Sequence, residues 1–297
     1  MIAAVIDLGT NTFNLLVFRK EGEDAEFIYN HRFPVGLGMG GINENKIAKE
    51  AFDRGVNAIV QFKQTCDKHA VEQTKAFGTS ALRGAKNGQL FCEAVYNQTG
   101  IKIEIISGLR EAELIFEGVK LVHSFTKSSC IMDIGGGSTE FILANEKGMQ
   151  EFQSFDIGVS RMLQKFELSD PLTKENIQQI EAFLTENTSD FFQTHSCDAL
   201  IGASGSFETF FEFIFQRKHT DEWNSSELTM ETLMEVLEVL IHSTQQERQT
   251  NEHISDIRKK MIHIAALKTR WVIQQLNVKE VWISPASLKE GVMSVYF

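Results

Sequence analysis

Two short stretches of the sequence carry the same arrangement of a carboxylate, a glycine and a hydroxyl. The first contains Asp7, Gly9 and Thr12, and the second contains Asp133, Gly135 and Ser138. Each stretch lies between two apolar runs in the pattern D-x-G-x-x-[ST], which predicts two strands joined by a tight turn. Successive backbone amides in such a turn form a concave site for an anion. The spacing therefore indicates phosphate chemistry.

The remaining residues of the two turns suit the same chemistry. Hydroxyl groups are available to bond phosphate oxygens, and the three consecutive glycines of the second turn lack a Cβ, so a phosphate can approach the backbone closely. The residues predicted to bind phosphate in these turns are Gly9, Thr10, Asn11, Thr12, Gly135, Gly136, Gly137, Ser138 and Thr139.

The two aspartates have two interpretations. Asp7 and Asp133 follow apolar runs and are placed to hold a Mg²⁺ ion, directly or through water. A single aspartate in such a turn is more often a turn former that bonds its own backbone. Because the two aspartates occur in matched frames, we predict that both are metal ligands.

Two glutamates are candidates for proton chemistry, and one arginine for phosphate binding. Water that attacks a phosphoryl group must be oriented and deprotonated, and a carboxylate does both. Glu140 lies two residues after Ser138, so both side chains point to the same side of a strand. Glu111 begins a predicted helix, where its charge would also favour the helix dipole. Arg83 is placed to reach a phosphate chain, although an arginine on a first helical turn is usually only solvated.

The two turns belong to a longer internal repeat, which defines the elements that must position them. Residues 75–80 resemble 199–205, and residues 104–107 resemble 281–284, in the same order as the two turns. Three matched pairs in one order indicate two copies of one α/β unit. The expected domains are residues 1–122 with about 287–297, and residues 123–286 with added helices, joined by a helix around 114–122.

Apolar residues at helical spacing predict helices in four segments of the chain. These segments are 45–66, 173–186, 229–241 and 257–275. The glycine-rich run 36–41 suggests a mobile or strained loop, and no βαβ frame surrounds it that would make it a dinucleotide motif. The GxxxxGK[ST] signature is absent from the sequence, which argues against a P-loop nucleotidase.

Composition and charge narrow the classes of partner. The 297 residues carry a net charge of −11, whereas a general nucleic-acid binder is normally basic. No signal peptide and no apolar run of membrane-spanning length is evident, so we expect a cytoplasmic protein without a membrane partner. The four scattered cysteines predict reduced core thiols rather than disulfides or metal ligands.

Taken together, these segments resemble the exopolyphosphatase and guanosine-pentaphosphatase (Ppx/GppA) family. The matching motifs run in family order and lie at residues 6–13, 78–83, 103–112, 133–140, 202–205 and 289–291. The resemblance implies a duplicated actin-like α/β fold, of the ribonuclease H, sugar kinase and Hsp70 type, with a cleft between its two domains. It implies Glu111 as the general base, and metal and phosphate binding by Asp133, Gly135, Ser138 and Glu140. The matching loop of Gly202, Ser204 and Gly205 is expected to bind phosphate too.

The function that the resemblance implies is hydrolysis with Mg²⁺. The substrate is either the terminal phosphate of inorganic polyphosphate or the 5′ γ-phosphate of guanosine pentaphosphate. Family members are often dimeric, so a homodimer is possible. Two alternatives stay open: a non-hydrolytic sensor of guanosine tetra- or pentaphosphate, and a kinase-like phosphotransferase of the same fold.

The sequence departs from the family pattern in three places. Arg110 stands before Glu111 where a second glutamate is common, and so places a positive charge beside the predicted base. Lys289 replaces an arginine and loses its bidentate phosphate geometry. The chain contains only the two core domains, which predicts a preference for short polyphosphate or a nucleotide.

Overall fold

The computed structural model of the chain divides into two compact units. Unit 1 comprises Met1–Gly118 and Leu288–Phe297, and unit 2 comprises Val119–Ser287. The structure describes residues 1–22, 24–219 and 223–297, apart from the side chain of Ser189. No helix in these described ranges is long and apolar enough to cross a membrane.

Strands and helices alternate through both units. The strands are β1 (Ile2–Leu8), β2 (Phe13–Glu21), β3 (Asp24–Phe33), β4 (Gln73–Gly78), β5 (Ile103–Ile105), β6 (Ser129–Ile134), β7 (Thr139–Asn145), β8 (Gly148–Phe155), β9 (Ala199–Gly202), β10 (Ser226–Leu228) and β11 (Glu280–Ile283). The helices are α1 (Lys49–Lys68), α2 (Ser80–Gly84), α3 (Gly88–Thr99), α4 (Gly108–Lys120), α5 (Val159–Lys165), α6 (Lys174–Thr194), α7 (Gly205–Phe215), α8 (Met230–Ile241), α9 (Gln245–Thr250), α10 (Ile262–Leu276) and α11 (Leu288–Tyr296).

Each unit is built around one mixed sheet, and the two sheets have the same order. The order in unit 1 is β3-β2-β1-β4-β5, and in unit 2 it is β8-β7-β6-β9-β11 with β10 added at the edge. In both sheets the first three strands form an antiparallel meander, and the following pairs of central strands are parallel. This repeated topology confirms the predicted α/β class and the duplicated actin-like architecture.

The repeat extends to irregularities in the strands. The β2–β3 pairing shifts register between Val17 and Phe18, and the β7–β8 pairing shifts between Leu143 and Ala144. In both pairings the extra residue, Ile28 or Gln150, lies on the later strand, opposite the fifth and sixth residues of the earlier strand. Bulges bend and twist a strand at a defined place, so the two meanders share their curvature as well as their order.

Separate apolar cores hold the two units. In unit 1, β1 is an almost continuous buried apolar run, as expected for a central strand covered on both faces. In unit 2 aromatic rings carry much of the packing: Phe141 and Trp271 both contact Phe192 edge to face. All four cysteines are free and buried, which agrees with the predicted core thiols.

Two predicted helix starts were correct and two were wrong. Thr173 caps α6 and Thr229 caps α8, each accepting a backbone N–H with its hydroxyl. Helix α1 starts at Lys49 rather than residue 45, because Asn45 adopts a left-handed conformation that ends a preceding 3-10 turn. Helix α10 starts at Ile262 rather than residue 257, because the preceding residues form turns.

The C-terminal helix belongs to unit 1. Helix α11 packs against β1. Gly291 of α11 lies so close to the carbonyl of Leu114 in α4 that a Cβ at this position would overlap it. The glycine is therefore required for the close approach of the two helices.

Candidate active site

The topology of unit 1 brings three predicted segments to one edge of its sheet. Strands β1, β4 and β5 are parallel, with Leu8 opposite Gly78 and Gly78 opposite Ile105. The segments that follow these strands begin side by side, since the amide of Thr79 donates to the carbonyl of Leu8 and that of Ile106 to the carbonyl of Gly78. Active-site residues commonly collect at the carboxyl ends of parallel strands.

The turn after β1 is held from behind by the glycine-rich run. The amides of Gly38 and Gly36 donate to the carbonyls of Thr10 and Asn11, at 3.0 and 2.8 Å. In a trans peptide the N–H points opposite to the C=O. The amides of Asn11 and Thr12 therefore face away from the glycine-rich run, as an anion site requires.

The turn after β6 is also held from behind by hydrogen bonds from backbone amides to its carbonyl groups. The amides of Gly158, Val159 and Ser160 donate to the carbonyls of Gly137, Gly135 and Gly136, at 3.2, 3.1 and 2.9 Å. The guanidinium of Arg161 adds a bond of 3.1 Å to the carbonyl of Gly137. By the same peptide geometry, the amides of Gly136, Gly137 and Ser138 face away from α5.

The glycine-rich run is therefore part of the architecture of the first turn rather than an independent loop. Gly36 and Gly40 have positive φ, of 61° and 73°. A Cβ at Gly38 would lie 2.5 Å from Cγ2 of Thr10. The expectation of a strained backbone thus has a local cause, which is close packing against residues 10 and 11.

Glu111 and Arg83 meet at the edge of the unit 1 sheet. Nη1 of Arg83 donates to Oε2 of Glu111 at 2.8 Å and to the carbonyl of Ile106 at 3.0 Å. The side chain of Glu111 is 9% exposed and that of Arg83 is 27% exposed. The two predicted site residues are thus brought together, and the arginine fixes the carboxylate.

Arg110 precedes Glu111 in the sequence, but its guanidinium points to other partners. Its guanidinium donates to Glu113 at 2.7 Å and to the hydroxyl of Tyr296 at 3.1 Å. The charge that flanks the predicted base in sequence is therefore engaged on another face of α4. Lys289 bonds the neighbouring buried Glu290.

Asp7 lies among polar groups at the end of β1. Its Oδ2 accepts from Nδ2 of Asn14 at 2.8 Å, across the β1–β2 pair. Burial raises the pKa of Asp7 to about 6, although the bond from Asn14 and the charge of Lys289 act in the opposite direction. A cation bound beside this carboxyl would favour its charged form.

In unit 2, Asp133 and Glu140 are neighbours across the β6–β7 pair but bind different partners. Oδ2 of Asp133 accepts from the hydroxyl of Ser287 at 3.0 Å. Oε1 of Glu140 accepts from the hydroxyls of Ser138 and Ser154, at 2.6 and 2.7 Å. Glu140 is only 1% exposed. Its position therefore favours holding Ser138 at the end of the turn over direct proton transfer to a substrate.

Thr139 corrects an expectation about its hydroxyl. The residue is completely buried, and its Oγ1 accepts from Nζ of Lys268 at 2.8 Å. The same ammonium also donates to the carbonyl of Ile157. The hydroxyl of Thr139 is thus used inside the protein, because the side chain at the start of β7 points into the core, and it is not directed at a phosphate.

The loop after β9 has a different reason for its glycines. A Cβ at Gly202 would overlap the ring of Phe207, and a Cβ at Gly205 would overlap the guanidinium of Arg258. Arg258 in turn donates to Glu208 and Thr209, at 3.2 and 3.1 Å. Gly202 is therefore required by packing, whatever it binds, because Phe207 is fully buried, whereas the flexible end of Arg258 could move away from a Cβ at residue 205. The Oγ of Ser204 is buried and has no partner among the described residues.

The donor set fits Mg²⁺ bound together with a phosphate. Within the described part of the chain, no three His, Cys, Asp or Glu side chains are grouped to hold a metal. Magnesium usually takes one or two protein carboxylates and completes its shell with water and substrate oxygens. Asp7 and Asp133 each offer one carboxylate beside an amide-lined turn, which suits that mode and not a cage built only of protein ligands.

Sequence reasoning missed several residues that support the site, among them Lys268 and Ser154. Lys268 had a recognisable signal, since it is a charged residue inside the apolar run of α10. Ser154 had none, because its position opposite Glu140 depends on the register of β7 and β8.

Comparisons with known proteins agree with this fold. The sequence model of the Ppx/GppA phosphatase family matches residues 16–295. The crystal structure of an exopolyphosphatase from Cytophaga hutchinsonii is 32% identical, covers 100% of this chain and 97% of its own, and superposes with a TM-score of 0.96. That of the Aquifex aeolicus Ppx/GppA family member is 22% identical, covers 100% and 97%, and has a TM-score of 0.83, which shows the shared fold.

One curated relative is a larger protein. The bifunctional 3-dehydroquinate synthase/phosphatase of Fusobacterium nucleatum is 34% identical over 232 residues, which make up 70% of this chain and 33% of that protein. This chain therefore spans about a third of the length of that relative.

The two sheets of the same strand order define an α/β protein with a duplicated, actin-like fold. More narrowly, this chain belongs to the Ppx/GppA phosphatase family. The prediction of a phosphoanhydride hydrolase is thereby confirmed at the level of the family.

Proposed function

We propose that the protein removes the terminal phosphate from inorganic polyphosphate, from guanosine pentaphosphate, or from both. The proposal rests on one observation: in each unit, the carbonyl groups of the turn accept hydrogen bonds from a supporting segment behind the turn. This arrangement leaves outward amides at Asn11 and Thr12, and at Gly136 and Gly137. Fixed amides bind an anion without reorganisation, which is how electrostatic catalysis of phosphoryl transfer works.

Local groups must overcome the overall negative charge of the chain. The net charge is −11, so a polyanionic substrate is repelled at long range. The amides of the two turns supply partial positive charge where a phosphate would bind. The unpartnered hydroxyl of Ser204 and the hydroxyl of Thr12 are further donors of the kind that phosphate oxygens accept.

Glu111 is the side chain proposed as the general base. It would orient the attacking water and take its proton as the terminal P–O–P bond breaks, releasing orthophosphate and a chain shorter by one phosphate. The bond from Arg83 holds the carboxylate in one orientation. Because Arg83 has a second acceptor in the carbonyl of Ile106, its guanidinium is itself fixed.

Asp7 and Asp133 are the residues proposed to hold Mg²⁺. When bound, the ion would neutralise charge on the substrate oxygens. Ser287 orients the carboxylate of Asp133, and Asn14 orients that of Asp7. These bonds reduce the freedom that each carboxylate would lose on binding a cation.

The relatives support the reaction class more than the substrate. The Cytophaga hutchinsonii protein is an exopolyphosphatase, and the name of the Fusobacterium nucleatum relative includes a phosphatase. Polyphosphate is therefore the first substrate to test. We further propose that the enzyme is cytoplasmic, binds neither nucleic acid nor membrane, and forms a homodimer. Light scattering would establish the oligomeric state.

The deciding experiment is orthophosphate release with Mg²⁺ from short polyphosphate, long polyphosphate, guanosine pentaphosphate and ATP. Glu111→Gln is the test variant, and Glu113→Gln is its matched control on the same helix, since Glu113 also pairs with an arginine. The proposed base predicts that turnover falls by about 10²–10⁴-fold in the first variant only. Equal turnover in wild type and Glu111→Gln contradicts the assignment of the base.

A second function is favoured by one observation. Glu111 accepts from Arg83, and Glu140 accepts from two serines, so both candidate carboxylates are engaged. A protein of this kind that bound guanosine tetra- or pentaphosphate without cleaving it would act as a sensor. Binding of these nucleotides by calorimetry without phosphate release from any substrate would support the sensor. Release from ATP alone would instead indicate a kinase-like activity.

A further inference from the structure

Lys268 is a buried cation whose contacts converge on the second turn. It lies in α10 with no exposed surface. Its ammonium donates to the hydroxyl of Thr139, the residue directly after Ser138, and to the carbonyl of Ile157, the residue directly before Gly158. Gly158 in turn donates to the carbonyl of Gly137. One side chain therefore holds both the end of the turn and the segment that supports it from behind.

A lysine is an unfavourable choice for this position on grounds of stability. Burial removes water from the ammonium and lowers the pKa of Lys268 to about 7, while the charge of Glu140 acts in the opposite direction. A long apolar side chain would fill the same space in α10 without this penalty. Charged groups kept inside a core at such a cost occur mainly where function requires them.

We propose that Lys268 is a positioning residue for the phosphate-binding turn 135–138. By tying Thr139 to Ile157 it keeps the amides of residues 136–138 directed at the substrate. When protonated, it also places a positive charge behind the turn, where it partly balances the buried carboxylate of Glu140. This role rests on the proposed function, since it concerns how the same turn binds a phosphate chain.

The contacts assign Lys268 to substrate affinity rather than to the chemical step. It touches neither of the acidic residues proposed to hold Mg²⁺ nor Glu111, and it is inaccessible to substrate. Loss of a hydrogen bond from a charged donor corresponds to about a 10- to 100-fold change in an equilibrium constant. Removal of the ammonium should therefore raise KM and Kd, with a smaller effect on kcat.

The test uses the full chain with inorganic tripolyphosphate. For wild type and Lys268→Met, KM and kcat are measured by phosphate release, and Kd is measured by calorimetry with Glu111→Gln as background. Leu267→Ala is the matched control, because Leu267 is also fully buried on α10 but is apolar. It reports how much of any effect follows from lost stability alone.

The expected result is a rise in KM and Kd of about 10- to 100-fold for Lys268→Met, while Leu267→Ala keeps both values. Thr139→Val should act in the same direction and add little to Lys268→Met, because both break one contact. Values of KM and Kd within twofold of wild type, or an equal rise in Leu267→Ala, contradict the role of Lys268 but leave the proposed function unaffected. A wild type that neither binds nor cleaves tripolyphosphate, long polyphosphate or guanosine pentaphosphate overturns the proposed function together with this inference.

Discussion

Gly158→Ala tests whether the second turn acts as the phosphate site. Gly158 has φ −61° and ψ 153°, a conformation that alanine adopts freely, so the substitution introduces no backbone strain. The added Cβ would, however, overlap the carbonyl groups of Gly136 and Gly137. Ordinary contact begins at 3.4 Å, so the turn would have to withdraw by about 1 Å. Because the atoms that the added Cβ would meet belong to the backbone, no flexible side chain can move to make room for it.

The magnitude follows from that displacement. Misplacement of binding groups by about 1 Å lowers the rate by about 10²-fold. Overpacking of this kind also lowers the free energy of unfolding by about 1–3 kcal/mol. We therefore expect kcat/KM for polyphosphate to fall by about 100-fold in a protein that remains folded at the assay temperature.

The assay is phosphate release with Mg²⁺, accompanied by urea unfolding of each protein. Gly84→Ala is the matched control: Gly84 ends α2, is exposed, and has no atom within 4 Å of an added Cβ. It should keep full activity and gain up to about 1 kcal/mol of stability from the helix propensity of alanine. Activity of Gly158→Ala within threefold of wild type would refute the assignment of this turn as the phosphate site.

Three further predictions concern charged and titratable groups. Arg83→Met should lower kcat, because it releases the carboxylate of Glu111, and should lower unfolding stability by about 1–3 kcal/mol. His263→Leu should flatten the pH dependence of stability. Burial, with the charge of Arg248, lowers the pKa of His263 to about 4. The free energy of unfolding of the wild type should therefore fall by up to about 3 kcal/mol as the pH falls from 6.5 to 4. Asp7→Asn should raise the free energy of unfolding of the metal-free protein at pH 7.5 by up to about 3 kcal/mol. The reason is that the raised pKa of Asp7 destabilises the folded wild type as the pH increases from about 4 to 6.

Each of these has a measurement that decides it. Unchanged turnover in Arg83→Met would show that the guanidinium does not position the base. Urea unfolding at several pH values reads out the histidine variant, and an acid loss equal to that of wild type would contradict the assignment. For Asp7→Asn, thermal unfolding with EDTA and with Mg²⁺ should show that the ion stabilises wild type more than the variant. Equal stabilisation of both would exclude Asp7 as a ligand.

Much of the fold was predictable because it depends on local pattern. The two D-x-G-x-x-[ST] stretches became hairpins in which Asp7 faces Asn14 and Asp133 faces Glu140. The looser pair, residues 104–107 and 281–284, also proved equivalent, since β5 and β11 occupy the same place in the two sheets. The start of α10 was not predictable, because apolar spacing continues into residues that form turns.

The sequence by itself determined the duplicated fold, the positions of the two turns and the residues around them, since these follow from hydrophobic period, glycine positions and turn chemistry. The tertiary structure alone decided which groups meet. Arg83 and Glu111 are 28 residues apart, and Lys268 reaches Thr139 across 129 residues. Such pairings are set by sheet order and helix packing, which no local pattern encodes. For the same reason, Arg110 is adjacent to Glu111 in sequence yet pairs with Glu113 and Tyr296.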